Sequence, residues 1–181
     1  MKYKILGKQH NTDKCFVCGM LNKAGTKAQF YNCEIEGGEK ILLTVIEPQA
    51  IHQSYPNRMH GGVISALMDE SIGRAVQVTQ PETWAVTIDL NVKFRSPAPL
   101  DQTLYIESRV TNLGARAFEG EAKMTTKNGR VLATATAKYF IVNYDVLFAT
   151  EKLTSKTWFI VKEDLPKYIT IGAQNENFGG I

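Results

Sequence analysis

Alternating apolar and polar residues predict most of the strands of this chain. The stretch TKAQFYNCEIEGGEKILLTVIEP alternates on both sides of Gly37 and Gly38, and glycines tolerate the positive φ of a tight hairpin turn. Similar period-two patterns, rich in β-branched and aromatic residues, follow in TWAVTIDLNVKFRS, LDQTLYIESRVTNL, ARAFEGEAKMTTK and GRVLATATAKYFIVN. We therefore predict two strands and, later in the chain, four consecutive antiparallel strands.

One long helical pattern, residues 61–79, separates these two sets of strands. Its apolar side chains recur at helical spacing, and Pro81 follows it. The stripe predicted to face the core comprises Ile64, Leu67, Met68, Ile72, Ala75 and Val78. This element order indicates an α+β fold in which a curved antiparallel sheet of about six strands wraps around one long helix.

The length of 181 residues suits one domain with short additions. We expect this domain at residues 26–143, an N-terminal segment at 1–25 and a C-terminal extension at 144–181 that packs on the domain or trails from it. Hydrophobic residues make up 44% and charged residues 22%, which is typical of globular proteins. The final AQNENFGGI is expected to be frayed.

Charge and hydropathy exclude two classes of partner. The formal net charge of +3 is spread over both halves, without the basic stripe typical of nucleic-acid binding. The start MKYKILGKQH has no apolar run of signal-peptide length, and no segment approaches the roughly 18 apolar residues of a membrane span. We expect a cytoplasmic protein with no nucleic-acid or membrane partner.

Three cysteines raise the question of a metal or redox site. Cys15 and Cys18, in CFVC, have a spacing that suits zinc, a redox pair or neither. No second CxxC or HxxxH completes four ligands, and Cys33 stands alone. Reduced structural thiols are the expected state, with a metal site and a redox pair as alternatives.

The start of the predicted helix has an unusual pattern, His60-Gly61-Gly62, within NRMHGGVISALMDESIGRAV. The first N–H groups of a helix have no intrahelical acceptor and lie at the positive end of its dipole. Without side chains to obstruct it, a carbonyl oxygen could approach the amides of Gly61 and Gly62 and be stabilised as it gains negative charge. The alternative is a glycine pair needed for close packing or for the turn.

Asp69 is the second candidate on this helix. Its neighbours on the helical wheel are small or apolar and leave space beside the carboxylate: Ser65, Ala66, Gly73 and Val76. Asp69 could act in catalysis or only hydrogen-bond to a neighbouring group. Glu70, in contrast, is expected to be solvated and to pair with Arg74 four residues later.

Gly61 and Asp69 are too far apart to act together within one chain. Eight residues at 1.5 Å each separate them by roughly 12 Å along the helix. If both contact one reacting carbon, the acid must come from a second copy whose helix runs antiparallel to the first. That arrangement predicts a two-fold dimer with two equivalent sites at its interface.

The segment HGGVISALMDE resembles the signature of the hotdog-fold acyl-CoA thioesterases, especially the phenylacetate-pathway and mammalian thioesterase-superfamily branch. The resemblance covers about residues 15–142. It implies a hotdog fold and hydrolysis of a small or medium acyl-CoA to the free acid and CoA. Because a thiolate leaves readily, neither a metal nor an organic cofactor is expected for this reaction.

The resemblance also implies roles for individual residues. The Gly61 amide would polarise the thioester carbonyl, and Asp69 of the neighbouring subunit would act as general base or nucleophile. His60 would orient the thioester or the loop, and Thr87 would help to place the water, although it also suits an ordinary strand position.

One position departs from the family pattern. Members of this branch often carry an asparagine six residues before the histidine, where this chain has Ser54, and its Asn57 lies only three residues before. Either Asn57 substitutes through a different loop path, or the corresponding hydrogen bond to water is missing.

The substrate pocket is expected between the loop QSYPNRM, the helix start with Gly62, and strand residues near Trp84. Tyr55 and Met59 would favour an apolar acyl group. For the phosphates of CoA, Arg95 and Arg116 are preferred because they border predicted strand ends; the other basic candidates are Arg58, Lys127 and Arg130.

The expected assembly is a homodimer with shared active sites, or a tetramer of two such dimers. Two other functions remain open. A hotdog protein can bind or sense acyl-CoA without hydrolysing it, and related proteins hydrate or dehydrate acyl thioesters. The helix pattern of this chain fits a hydratase less well.

Overall fold

Residues 1–172 are described by the structure, a computed structural model, and they form ten strands and two α-helices. The strands are β1 (Lys2–Lys8), β2 (Asn11–Thr12), β3 (Gln29–Glu34), β4 (Lys40–Ile46), β5 (Trp84–Phe94), β6 (Leu104–Leu113), β7 (Ala117–Thr126), β8 (Val131–Val142), β9 (Trp158–Phe159) and β10 (Tyr168–Thr170). The helices are α1 (Gly61–Ala75) and α2 (Tyr144–Leu147), and short 3-10 turns cover Ala50–His52 and Val76–Val78.

One antiparallel sheet contains eight of these strands, in the order β10-β1-β3-β4-β6-β7-β8-β5. The predicted hairpin is confirmed: Gly37 and Gly38, with φ of 94° and 84°, connect β3 to β4. The four later strands are also confirmed, but β5 crosses over to pair with β8 instead of β6. This crossover leaves β5 at one edge of the sheet.

The sheet has two strands more than predicted, because both ends of the chain join it. β10 pairs with β1, which pairs with β3. β9 and β2 form a separate two-stranded ribbon. The C-terminal extension is therefore tied to the N-terminal segment, and the segment AQNENFGGI, for which fraying is expected, lies outside the described residues.

The single long helix lies against β4 to β8, as the sequence predicts. Its apolar stripe is buried, apart from Val78, which is half-buried and packs against the same core. Ser71 is also buried, and its hydroxyl donates to the Leu67 carbonyl at 2.7 Å and lies 2.9 Å from the Thr44 hydroxyl. Within residues 1–172, no helix has the length and apolar content needed to cross a bilayer.

Close packing of α1 on β7 depends on Gly120, which gives a stability prediction. A Cβ at Gly120 would lie 2.6 Å from Ile72 Cγ2 and 2.8 Å from the Arg109 carbonyl oxygen. We expect Gly120→Ala to lower the free energy of unfolding by about 1–3 kcal/mol, the usual cost of overpacking. Chemical denaturation would measure it, with Gly7→Ala as the control, because nothing lies within 4 Å of a Cβ there. Equal stability of the two variants would contradict this account.

Candidate active site

The Asp69 carboxylate is held by two hydroxyl groups from the sheet. Thr87 Oγ1 donates to Asp69 Oδ1 at 2.9 Å, and the Tyr139 hydroxyl donates to the same oxygen at 3.0 Å. The Tyr139 hydroxyl also donates to the Asp69 carbonyl oxygen at 2.7 Å, so its single proton is shared between these two acceptors. Burial, together with the charge and hydrogen bond of Asp69, raises the pKa of Tyr139, so this phenol stays a donor.

Strand pairing explains why the two hydroxyls converge. Thr87 on β5 and Tyr139 on β8 are direct partners in the ladder, so their side chains share the face toward α1. The register shifts between Thr87 and Asp89, and such bulges re-aim side chains near functional sites. Gly73 contributes room, because a Cβ there would lie 3.1 Å from Tyr139 Cε1.

Asp69 lies in the wall of a cavity of about 310 Å³. Its lining combines the carboxylate and its two hydroxyl donors with aromatic and apolar side chains of β5 and the C-terminal extension: Trp84, Ala85, Phe148, Leu153 and Trp158. The Trp84 ring centroid lies 4.9 Å from that of Phe148 and 5.2 Å from that of Trp158. The cavity therefore places these apolar side chains beside the hydrogen-bonded Asp69 carboxylate, and Glu70 and Arg74 line another part of its wall.

The start of α1 leaves one backbone amide free. His60 is the N-cap, and its Nδ1 accepts the Gly62 N–H at 2.9 Å. The Val63 and Ile64 amides donate to the His60 carbonyl. Among the described residues, no acceptor receives the Gly61 N–H. Of the two glycine amides considered from the sequence, the structure leaves only that of Gly61 available to a ligand.

Gly61 and Asp69 lie at different places in the chain. Both are on α1, eight residues apart, and Gly61 does not line the Asp69 cavity. Gly61 instead neighbours the edge of the sheet, because a Cβ there would lie 3.4 Å from Phe94 Cζ on β5. The two groups are therefore not brought together within one copy of the chain.

The loop before α1 is also separate from this cavity. Asn57, with φ of 54°, donates through Nδ2 to Asp101 Oδ2 at 3.4 Å, and its Oδ1 accepts the Leu100 N–H at 3.4 Å. Ser54 is exposed, as is Tyr55. Met59 is buried in the core. None of the four loop residues in the predicted substrate pocket lines the Asp69 cavity, whereas Trp84 does.

The two basic residues preferred for CoA phosphates are exposed. Arg95 lies in the wall of a second cavity, of about 290 Å³, with Lys93 and Lys123. Arg116 follows the turn between β6 and β7. Among residues 1–172, no carboxylate lies within salt-bridge distance of either guanidinium. Both charges are thus open to an anionic ligand.

The environment of Glu70 and Arg74 differs from the sequence prediction. The pair forms, with Arg74 Nε 2.7 Å from Glu70 Oε1, but the prediction that it lies in water is wrong. The Arg74 side chain is only 8% exposed and the Glu70 side chain 26%. The N-terminal segment covers them, and the Arg74 Nη1 donates to the His10 carbonyl at 2.9 Å.

None of the three cysteines forms a disulfide within residues 1–172. Cys15 and Cys18 line the Asp69 cavity beside Glu70. A hydrogen bond from the Cys18 thiol lowers the pKa of Cys15 to about 6, although burial and the Glu70 charge oppose this shift. The same hydrogen bond, with burial, raises the pKa of Cys18. Burial raises the pKa of Cys33 to about 12.

Sequence reasoning missed Tyr139 and the aromatic residues of the extension. Tyrosine is common in strands, so the sequence pattern of β8 does not single out Tyr139. The structure places it beside Thr87, its partner on β5, and against Asp69. Trp158 is held on β9 by its pairing with β2, and Phe148 directly follows α2. A prediction that β5 pairs with β8, and in which register, would have identified Tyr139 as the neighbour of Thr87.

Comparison with known proteins gives a consistent result. The sequence model of the thioesterase superfamily matches residues 57–133, from the loop before α1 to the start of β8. Acyl-coenzyme A thioesterase 13 of Mus musculus is 23% identical over 105 residues, covering 52% of this chain and 75% of that protein.

Solved structures share the fold. A thioesterase superfamily protein has a TM-score of 0.60 at 19% identity, covering 69% of this chain and 62% of its own, so this chain spans less than two thirds of that protein. A Streptococcus mutans protein bound to acetyl CoA has a TM-score of 0.53 at 23% identity, covering 57% of this chain and 82% of its own. The sheet wrapped around α1 is therefore the hotdog fold of these structures, and residues 57–133 are similar in sequence to the thioesterase superfamily.

Proposed function

We propose that this protein is an acyl-CoA thioesterase that hydrolyses small or medium acyl thioesters. The observation that carries the proposal is the Asp69 carboxylate, oriented by two hydroxyls at the edge of an apolar cavity. The mouse relative named as an acyl-coenzyme A thioesterase and the acetyl-CoA-bound bacterial structure support CoA thioesters as the substrate class.

The hydrogen bonds of Asp69 suggest how it acts. Thr87 and Tyr139 both donate to Oδ1, and no group among the described residues donates to Oδ2. Oδ2 is then free to take a proton from water as that water attacks the thioester carbonyl, or to attack the carbonyl itself. The Gly61 N–H would stabilise the oxyanion, and the CoA thiolate would leave.

The exposed edge of the sheet supports a shared site. β5 pairs with β8 on one side only within the described chain, and it presents Val86, Ile88 and Phe94 to solvent, with Ile88 and Phe94 each 55% exposed. A long apolar edge strand is a surface that proteins normally cover. A second copy on this edge would bring its Gly61, which neighbours Phe94, toward the site of the first.

The cavity size limits the acyl group. About 310 Å³ is at the lower end of the roughly 300–1,000 Å³ of pockets for drug-sized ligands. The rings of Trp84, Phe148 and Trp158 line it and pack against one another. This supports a short or medium acyl chain, with these rings of β5 and of the C-terminal extension as one wall of the acyl site.

The experiment is a thiol-release assay with acyl-CoAs of increasing chain length, together with an aromatic acyl-CoA. We expect release from at least one short or medium substrate and a sharp loss of turnover for long chains. Failure to release CoA from any of them would contradict the proposal. If the protein instead binds acyl-CoA tightly without turnover, the function is that of an acyl-CoA binding or sensing protein.

The two hydroxyl donors give a graded prediction. Thr87→Val and Tyr139→Phe each remove one hydrogen bond to Asp69 Oδ1. We expect kcat to fall about 10- to 150-fold in each single variant, because one charge-assisted hydrogen bond contributes about 1.5–3 kcal/mol and each 1.4 kcal/mol is about tenfold in rate. Steady-state kinetics would measure the loss, and Thr111→Val, an exposed change on β6, is the matched control. Unchanged kcat in both variants would show that Asp69 needs no such orientation.

A further inference from the structure

The CFVC turn places two sulfur atoms on the wall of the Asp69 cavity. The Gly19 N–H donates to the Cys15 carbonyl at 2.9 Å and closes the turn. The amides of Val17 and Cys18 point at Cys15 Sγ, at 3.3 Å and 3.5 Å. A Cβ at Gly19 would lie 2.2 Å from the Cys15 carbonyl oxygen, so the turn requires glycine there. Backbone N–H groups of this kind stabilise a thiolate.

Glu70 adds a third ligand atom from α1. Its Oε1 accepts from Arg74 Nε at 2.7 Å, whereas its Oε2 lies 4.0 Å from Cys15 Sγ. The ligand atoms of Cys15, Cys18 and Glu70 all lie within 4.8 Å of one another. Tetrahedral zinc, with Zn–S of about 2.3 Å and Zn–O of about 2.1 Å, needs S···O and S···S separations of about 3.6–3.8 Å. The three side chains therefore need to close by roughly 1 Å or less.

We propose that Cys15, Cys18 and Glu70 bind a thiophilic divalent cation of the zinc class, with its fourth position open to the cavity. Binding displaces the protons of the two thiols to solvent and forms two metal–thiolate bonds and one metal–carboxylate bond. Two thiolates and a carboxylate carry three negative charges, which the cation and the Arg74 guanidinium balance.

Arg74 is a second-sphere group in this site. It is buried, it fixes Glu70 Oε1, and its Nη2 lies 3.3 Å from Cys18 Sγ. Such outer contacts orient first-sphere ligands and leave Glu70 Oε2 for the cation. The bound cation would join the N-terminal turn to α1 one residue from Asp69. This inference does not depend on the proposed hydrolysis, for which the cation is not required.

Zinc titration of the full chain tests the site. The protein is reduced with a phosphine, stripped with a chelator, freed of the chelator and titrated with Zn²⁺ against a chromophoric competitor. We expect one equivalent of zinc per chain. Cys15→Ser and Cys18→Ser should each weaken binding at least about 100-fold, since each removes a direct ligand and outer-sphere losses alone cost 10–100-fold. Cys33→Ser, a buried thiol on β3, should bind as the wild type does.

Cobalt provides a readout that needs no variant to fold. Co²⁺ added to the reduced wild-type protein should give the thiolate charge-transfer and tetrahedral ligand-field bands, and Zn²⁺ should abolish them. Glu70→Gln should keep the charge-transfer band but shift the ligand-field bands. The proposal is overturned if wild-type protein gives no such bands, or if the zinc affinity of Cys15→Ser equals that of the wild type. It is equally overturned if the reduced protein binds no metal and peroxide merely joins Cys15 to Cys18, with a mass loss of two hydrogens.

Discussion

Replacing Asp69 with asparagine should lower kcat for thioester hydrolysis by about 10²–10⁴-fold, the usual contribution of a positioned general base. Asparagine keeps an oxygen that can accept from Thr87 and Tyr139, so the side chain should stay in place. Its amide nitrogen replaces the free Oδ2 and can neither accept a proton from water nor attack a carbonyl. Single-turnover and steady-state thiol-release assays would both report the loss.

A matched control distinguishes the loss of one negative charge from the loss of the reacting carboxylate. Asp164→Asn makes the same change on an exposed residue of the C-terminal extension, and it should retain wild-type kinetics. Acyl-CoA binding, measured without turnover, should survive in Asp69→Asn, because this residue contributes to the reaction more than to binding. If Asp69→Asn hydrolyses acyl-CoA at the wild-type rate, its carboxylate has only a structural role.

A single-turnover reaction in ¹⁸O-labelled water distinguishes the two forms of the mechanism. If Asp69 activates water, the label enters only the product acid. If Asp69 attacks the carbonyl, hydrolysis of the resulting anhydride can place the label in the Asp69 side chain. Mass spectrometry of the peptide that contains Asp69 would detect the increase in mass caused by the incorporated ¹⁸O.

The fold was predictable because short-range sequence patterns determine most of its strands and its long helix. Alternation gave β3 to β8, and glycines marked the hairpin at Gly37 and Gly38. The helix pattern identified the buried stripe of α1 and the position of Asp69 beside small residues. Each of these features depends on residues close together in sequence, where period and turn chemistry are informative.

The rest of the site depends on contacts between distant segments. Tyr139 lies 70 residues after Asp69 in the sequence, yet its hydroxyl contacts the Asp69 carboxylate. The crossover that pairs β5 with β8 places Thr87 beside Tyr139. Likewise, Arg74 seemed a surface residue on the helical wheel, but the N-terminal segment covers it. A wheel records which residues share a face and not what later packs against that face.

The path of the loop before α1 has no periodic signal, so the sequence could not show where its residues lie. The Met59 N–H donates to the Ala98 carbonyl at 2.8 Å, and the Met59 side chain is buried in the core. Asn57 joins the loop to Asp101. Contacts of these residues with substrate or water stay predictions, because the proposed site combines two copies of the chain.

Gly61→Pro should reduce kcat/KM by about 10²–10³-fold, the usual loss when one oxyanion donor is removed. Proline removes the N–H, yet it suits the first position of a helix. The preceding His60, at φ −64° and ψ 135°, already has the extended conformation that a following proline requires. The variant should therefore fold normally, as thermal unfolding would verify.

Gly61→Ala is the matched control, because it keeps the N–H and adds a Cβ at van der Waals distance, 3.4 Å, from the Phe94 ring. It should retain most of the activity. If Gly61→Pro is as active as Gly61→Ala, the amide is not the oxyanion donor. Loss of activity in both variants alike would instead point to a steric role for the glycine at the Phe94 edge.

Mixing the two inactive variants tests whether each site is built from two copies. In a dimer of one Asp69→Asn chain and one Gly61→Pro chain, one site combines the intact Gly61 of the first chain with the intact Asp69 of the second, and the other site has both lesions. After subunit exchange at equal amounts, half of the dimers are mixed and each has one working site of two, so activity should recover to about one quarter of wild type. If one chain supplied both groups, no mixed dimer would contain a working site, and activity would stay at the level of the separate variants.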